Sequence, residues 1–485
     1  MRKAIIFVFA VFLSTSYASG QSTLVWNNTD TVIKDLAYGN ARPKIALTGN
    51  NVPLVMWGRS INKEVFVSRY ENDAFGLPVQ ASPVGMNTYI QNWVGPDMVA
   101  QGDTVYVTFK SLPETQGYIY VVRSLDGGKT FEDTVRVSNN VWSRFPSLGI
   151  RPDGNPIVTY MEFDSNFHDP RYVVTTSADW GITFSNPVDG TSIANGEACD
   201  CCAGFVMGDE NETYLLFRNN DHNMRDIWTS KSINNAVTFP VQKDIDPNEW
   251  LINSCPSTGP DAYLTEDSVL STWMSAGGGE ARINIGVRDR TTLSIGQNIE
   301  LLPESTEIHN YPKIHGNEKV TGVVWQGSTL GNTDILFVRS ETGVQDLSRA
   351  VVDTVNSNRN NVQMNPDIEF ANGTFHIVWQ DMMDRSVKYR SARIESANGI
   401  ERNISELSLV VLPNPTDGIV SIRPIGYGDR VYVSIFNNLG QEVYNRSISG
   451  ANSTKVDVSS LSSGVYNVIV VSERGSVAKR IIVQN

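Results

Sequence analysis

Residues 94–131 read VGPDMVAQGDTVYVTFKSLPETQGYIYVVRSLDGGKTF, one complete unit of a pattern that runs through most of the chain. A proline-led strand, VGPDMVA, comes first. An alternating strand that ends in an aromatic, TVYVTF, follows, and a third, GYIYVVRS, runs into a turn rich in Gly and Asp. Alternation at period two, interrupted by Gly, Asp and Ser, marks short antiparallel strands. The aromatic-ended strand recurs as NVPLVMW (to Trp57), TVYVTF (Phe109), PIVTY (Tyr160), TYLLF (Phe217), SVLSTW (Trp273), VTGVVW (Trp325) and TFHIVW (Trp379), at spacings between 51 and 57 residues. The proline-led strand recurs as ARPKIAL, RFPSLGI, TGPDAYL, NYPKIHG and MNPDIEF; the fourth unit, at CAGFVMG, lacks the proline.

A sheet of four short strands cannot bury both faces by itself. Closing a ring of such sheets gives each face a neighbour and removes exposed edges. About seven repeats of this size predict an all-β chain built on a seven-bladed β-propeller over residues 21–400, with six blades and an irregular unit as the alternative. Three of the third strands end in SLDGGKTF (124–131), SADWGITF (177–184) and SINNAVTF (232–239). These resemble the Asp-box of sialidase-type propellers. The chemistry needed is a tight hairpin: Asp126 and Asp179 accept backbone N–H groups while Gly128 and Gly181 take a positive φ. In the third copy Asn234 and Ala236 stand in place of Asp and Gly.

The ends of the chain carry addresses. MRKAIIFVFAVFLSTSYASG, residues 1–20, has two basic residues, an apolar run and small residues after it, the pattern of a secretory signal peptide. No other stretch approaches the length of an apolar spanning helix, so the mature chain is expected to be soluble, with no transmembrane segment. Residues 405–485 read as a small Ig-like antiparallel β-sandwich. PNPTDG (413–418), IFNNLGQEVY (435–444), LSSGVYNV (461–468) and the terminal KRIIVQN resemble the C-terminal sorting domain of type IX secretion substrates. That resemblance implies recognition by the type IX machinery of a Bacteroidetes-type bacterium and a secreted or outer-surface location reached through the periplasm. A formal net charge of −13 with no basic cluster argues against nucleic acid or anionic lipid as a partner.

In a propeller the turn joining strands three and four marks one face. The loops leading into each first strand, and those joining strands two and three, share the opposite face, where ligands gather round the axis. Cys199, Cys201 and Cys202 of CDCC lead into blade 4, and Cys255 of NSCPSTGP leads into blade 5. The same face is predicted to hold Arg42, Arg144, His309 and Tyr311 on lead-in loops, and Arg218, Asp221, His222, Arg225 and Arg282 on strand-two-to-three loops. Four cysteines in an exported chain point first to two disulfides, one tying Cys201 or Cys202 to Cys255. The sharper alternative is a soft-metal site of Cys201, Cys202 and Cys255 with His222, suited to copper or zinc. Calcium could be held by the acidic loop DPNEW (246–250), whose spacing matches no recognised ligand set.

The function expected from these residues is binding of a glycan or protein ligand at the rim of blades 4 and 5, where Arg218, Arg225 and Arg282 could clamp a carboxylate. A sialidase-like glycoside hydrolase is the first alternative and a metal-bound or redox protein the second. Sialidases use an arginine triad, a tyrosine nucleophile with a glutamate partner, and an acid/base aspartate. The family's leading R-I-P sequence appears here only as Arg42-Pro43-Lys44-Ile45, out of order, and Tyr311 is the conceivable tyrosine; the rest of the set has no match by motif.

Overall fold

The computed structural model describes residues 22–484 apart from 330, 360, 396–407, 426–429, 438–439, 450–452 and 473–474; the signal-peptide reading at 1–20 lies outside the described residues. Two compact units separate, one of them Thr23–Glu395. That unit holds seven antiparallel sheets, in which each blade's own strands run in chain order outward from the axis. Blade 2 is typical: Asp97–Gln101, Thr104–Lys110, Ile119–Ser124 and Val135–Arg136. The first strand of each blade packs against that of the next, and that of blade 7 against that of blade 1, which closes the ring.

The recurring aromatics are core residues. Trp57, Phe109, Tyr160, Phe217, Trp273, Trp325 and Trp379 are all buried, each between its own sheet and a neighbour. Closure uses a device the repeat does not advertise. Thr23–Trp26 and Asp30–Lys34, from the start of the propeller, both pair with Ser386–Glu395, the third strand of blade 7. The last blade would otherwise expose an unpaired edge.

Two backbone devices repeat round the axis. In blades 1, 3, 6 and 7 the first strand slips register at the residue before the proline, with bulges between Ala41 and Lys44, Arg144 and Ser147, Asn310 and Lys313, and Met364 and Asp367. The aspartate after the proline serves as a strut to the next blade. Asp97 Oδ2 accepts Leu148 N–H at 3.0 Å, Asp261 Oδ2 accepts Ile314 N–H at 2.9 Å, and Asp367 Oδ2 accepts Ile45 N–H at 2.9 Å.

Blade 4 departs from this scheme. Its first strand is split into Glu197–Ala198 and Phe205–Asp209, both paired with Glu212–Asn220, and the CDCC segment loops out between them where other blades have the bulge. The missing proline of the fourth repeat thus corresponds to an enlarged excursion at the same place.

The turns after the third strands lie on the far face. Asp126 Oδ1 accepts the N–H of Lys129 and Thr130, Ser124 Oγ accepts Gly128 N–H, and Gly127 N–H reaches Asp103 O in the hairpin between strands one and two. Gly128 and Gly181 have φ of 82° and 79°, and Ala236 is forced to φ 62° at the equivalent position.

The second unit is a two-layer β structure. Ser408–Leu412, Ile419–Ile425 and Thr454–Asp457 form one sheet; Glu442–Ser449, Arg430–Phe436, Gly464–Ser472 and Gly475–Val483 form the other. Val411, Val420, Ile422, Val433, Ile435, Val468 and Val470 fill its core.

Candidate functional site

Three of the pre-proline bulges bring Arg42, Tyr311 and Asn365 to the axial opening, while Phe145 in the fourth packs into the core against Trp93. Arg42, Phe145, Tyr311 and Asn365 all have φ between 50° and 55°, the left-handed region that costs a residue with a Cβ about 1–2 kcal/mol. Strain of this kind, repeated at one mouth, is a recognised companion of function. The opening they surround takes residues from every blade, among them Arg42, Trp93, Ser147, Phe205, Thr258, Tyr311 and Asn365. Its free volume is about 60 Å³, room for a pair of waters or a carboxylate rather than a sugar ring.

Below the mouth the axis is charged. Lys44 Nζ lies 3.0 Å from Asp97 and 3.7 Å from Asp367, and Lys313 Nζ lies 2.7 Å from Asp261. Burial acts to raise the pKa of Asp97, but Lys44, Lys313 and its hydrogen bonds from Leu148 and Ser147 hold it below the ordinary carboxylate value. Asp367 is raised, burial outweighing the two lysines. Arg42 stands above them. Its Nη1 donates to Asn365 Oδ1 at 3.0 Å, and no ion pair to Arg42 occurs among the described residues. Burial lowers its pKa, opposed by the charges of Tyr311, Asp367 and Asp97. Tyr311 is raised, chiefly by burial, with Arg42 acting against it.

The sulfur-bearing loop adjoins this mouth through Ala203, Gly204 and Thr258. A Cβ on Gly259 would collide with the carbonyl oxygen of Ala203, so glycine is what lets the blade-5 loop press on the blade-4 loop. Cys199 Sγ lies 3.3 Å from Cys202 Sγ and 3.6 Å from Cys201 Sγ. Cys199 and Cys202 are fully buried and Cys201 is 8% exposed. The Tyr172 hydroxyl donates to Cys202 O, and Arg225 Nη1 donates to Cys199 Sγ at 2.9 Å. Hydrogen bonding from Cys201 and Cys202, with Arg225 nearby, holds the Cys199 thiol far below its usual value; Cys201 and Cys202 are pushed up.

The expected site residues fare differently. The four cysteines are unbridged in this structure, and Cys201 Sγ and exposed Cys255 Sγ, one of the expected pairs, lie within 4.8 Å of each other. His222 leaves the expected metal set: its side chain is 97% exposed and its Nδ1 lies 2.6 Å from Asp221 Oδ1. The predicted carboxylate clamps are spent elsewhere. Arg218 is fully buried, stacked over Trp250, and donates to the carbonyls of Thr258, Arg225 and Met274. Arg282 donates to the carbonyls of Ala281, Glu307 and Ser305, and Arg225 to Ile252 O besides Cys199. These guanidiniums hold loops whose backbone would otherwise lack donors. His309 is buried against Trp325, and burial lowers its pKa to about 4. Arg144 sits over Phe163 and Phe167 and pairs with Glu114 at 3.2 Å.

Asn365 is the residue that sequence reasoning missed. Its signal was present, since it occupies the same pre-proline position as Arg42 and Tyr311.

Residues 410–484 match the family described as the secretion system C-terminal sorting domain. That domain marks the chain for export to a secreted or outer-surface location, and implies contact with the secretion machinery. Among the described residues no helix is long and apolar enough to cross a membrane. No curated protein matches the chain. Among solved structures, an ulvan lyase of polysaccharide lyase family PL25 is 9% identical over 76% of this chain and 95% of its own, with a TM-score of 0.50. A protein of unknown function from Dyadobacter fermentans is 10% identical over 77% and 99%, with a TM-score of 0.46. A Trypanosoma rangeli sialidase is 12% identical over 95% and 89%, with a TM-score of 0.41. At 9% identity the likeness to the ulvan lyase is one of fold alone.

Proposed function

We propose that this exported propeller binds a carboxylated glycan at its axial mouth, with the ligand's carboxylate on Arg42. The observation that carries the reading is a partly buried guanidinium at the axis, held in place by Asn365, with no carboxylate within 4 Å among the described residues. The nearest acids, Asp97 and Asp367, are engaged by Lys44. An incoming carboxylate would complete a charge-assisted pair in a desolvated throat, and the narrow opening leaves the sugar ring outside, over Trp93 and Tyr311. The site therefore moves from the expected blade 4/5 rim to the axis beside it. The ulvan lyase of like fold is itself named for a polysaccharide, in keeping with a glycan as ligand.

Binding is favoured over sialidase-type catalysis by the state of Tyr311. Among the described residues no carboxylate accepts a hydrogen bond from its hydroxyl to activate it as a nucleophile. Calorimetric titration with sialylated and uronate oligosaccharides, and with neutral counterparts, tests the reading. Arg42→Ala should weaken the acidic ligands by about ten- to a hundredfold, the effect of losing a charged hydrogen bond of about 1.5–3 kcal/mol, and leave neutral ones unchanged. Equal affinity for neutral sugars would sink it. Turnover on the same panel that disappears in Tyr311→Phe would replace binding with hydrolysis.

A further inference from the structure

The thiol loop borders the axial mouth but takes no part in the carboxylate site proposed there. We propose that Cys199, Cys201 and Cys202 form a three-thiolate site for a soft monovalent cation, copper(I), with Cys255 and Asp200 as its solvent-side approach.

Geometry is the first support. Three sulfurs on one ion at bonds of about 2.3 Å stand a little under 4 Å apart. The sulfurs here already lie at 3.3 Å and 3.6 Å, and all three within 4.8 Å, so only a slight spreading is required. A second trio, Asp200, Cys201 and Cys255, lies within the same 4.8 Å limit and shares Cys201 with the first. Cys255 and Asp200 are exposed while Cys199 and Cys202 are buried, so the shared Cys201 links surface to interior.

Charge is the second support, and it separates thiolates from disulfides. The buried Arg225 donates to Cys199 Sγ at 2.9 Å, and no carboxylate lies within 4 Å of Arg225 or Arg218 among the described residues. The positive charge of Arg218 also acts on Cys199 and Cys202. Asp226 and Asp246 are the acids whose charge reaches Arg218, from beyond ion-pair distance. Oxidising the sulfurs to neutral bridges would leave Arg225 buried without an anion, a costly arrangement. Three thiolates and a monovalent ion carry two negative charges, matched by the two guanidiniums. Zinc would seek a fourth donor, and Cys255 does not fall within 4.8 Å of the whole inner trio. Soft thiolates select copper(I). Loading sends the three thiol protons of Cys199, Cys201 and Cys202 to solvent, with no change in the oxidation state of copper or sulfur.

The test titrates the full chain, purified without oxygen, with copper(I) against a competing chelator, and with zinc(II) in parallel. One copper(I) per chain is expected, with a thiolate-to-copper charge-transfer band in the ultraviolet. Cys199→Ser and Cys202→Ser should abolish that band. Arg225→Met should weaken binding about ten- to a hundredfold, the usual effect of losing a partner of a metal ligand; circular dichroism verifies that the variant is folded. Cys255→Ser should keep the stoichiometry and slow uptake. Peptide mapping that finds Cys199–Cys202 and Cys201–Cys255 bridges in the exported protein would overturn the proposal. So would tighter zinc than copper binding, failure of the reduced chain to bind copper, or loss of binding in Cys255→Ser.

Discussion

At the scale of single residues, the outer turns show how little tolerance a tight hairpin has. Gly128 and Gly181 take φ near 80° at no steric cost, whereas Ala236 holds φ 62° in the third copy. Ser232 Oγ still accepts Ala236 N–H at 3.1 Å and Asn234 Oδ1 accepts Thr238 N–H at 3.0 Å, so the hydrogen bonding survives the sequence drift. The methyl group is the misfit. Ala236→Gly should raise stability by up to about 1 kcal/mol, the left-handed penalty relieved less the added freedom of the unfolded chain. Urea unfolding of the full chain measures this as a higher midpoint at unchanged slope. Pre-proline strain at Arg42 and Tyr311 is different in kind, since relieving it would turn those side chains away from the axis.

At the scale of the element, the acidic turns carry a pH signature. Asp179 is held at about 2 by the Thr183 hydroxyl and backbone N–H and by the Ser177 hydroxyl; Asp126 is also held at about 2, its hydrogen bonds from Thr130 and Ser124 outweighing burial. A carboxyl depressed in the folded state adds stability above its unfolded pKa of about 3.9, and that stability drains away as pH falls toward 2. The melting temperature of the native chain should therefore fall between pH 4 and pH 2 more steeply than that of a doubly substituted Asp126→Asn, Asp179→Asn variant. Parallel curves for the two proteins would remove the turns from the account. The third turn, with Asn234 in place of aspartate, contributes nothing to this slope.

At the scale of the whole molecule, stability depends on joining seven sheets that differ in sequence. The proline-aspartate pairs were legible as a repeat, but only the ring shows that Asp97, Asp261 and Asp367 bond to the following blade. Asp97→Ala leaves Leu148 N–H and Ser147 Oγ without their acceptor and Lys44 with Asp367 alone at 3.7 Å. The expected loss is about 3 kcal/mol, the lower range for breaking a buried pair, read from denaturant unfolding. A loss under about 0.5 kcal/mol, typical of surface changes, would mean that blade-to-blade packing needs no strut.

Local pattern was enough to reveal strand period, repeat length, turn chemistry and the exporting address, because each depends on residues near one another in the chain. It also brought the sulfur loop and the blade-4 loop that carries Arg218, Asp221, His222 and Arg225 to one place: Cys199 N–H bonds to Arg218 O at 2.8 Å. What each side chain faces there was decided by the closed ring. Arg218 and Arg282 looked like ligand clamps, and carbonyls from separate loops consumed them; Arg42 looked like a broken sialidase motif, and the axis left it without an acid. Whether a charge is spent or available depends on neighbours from other blades, and closure alone sets who those neighbours are.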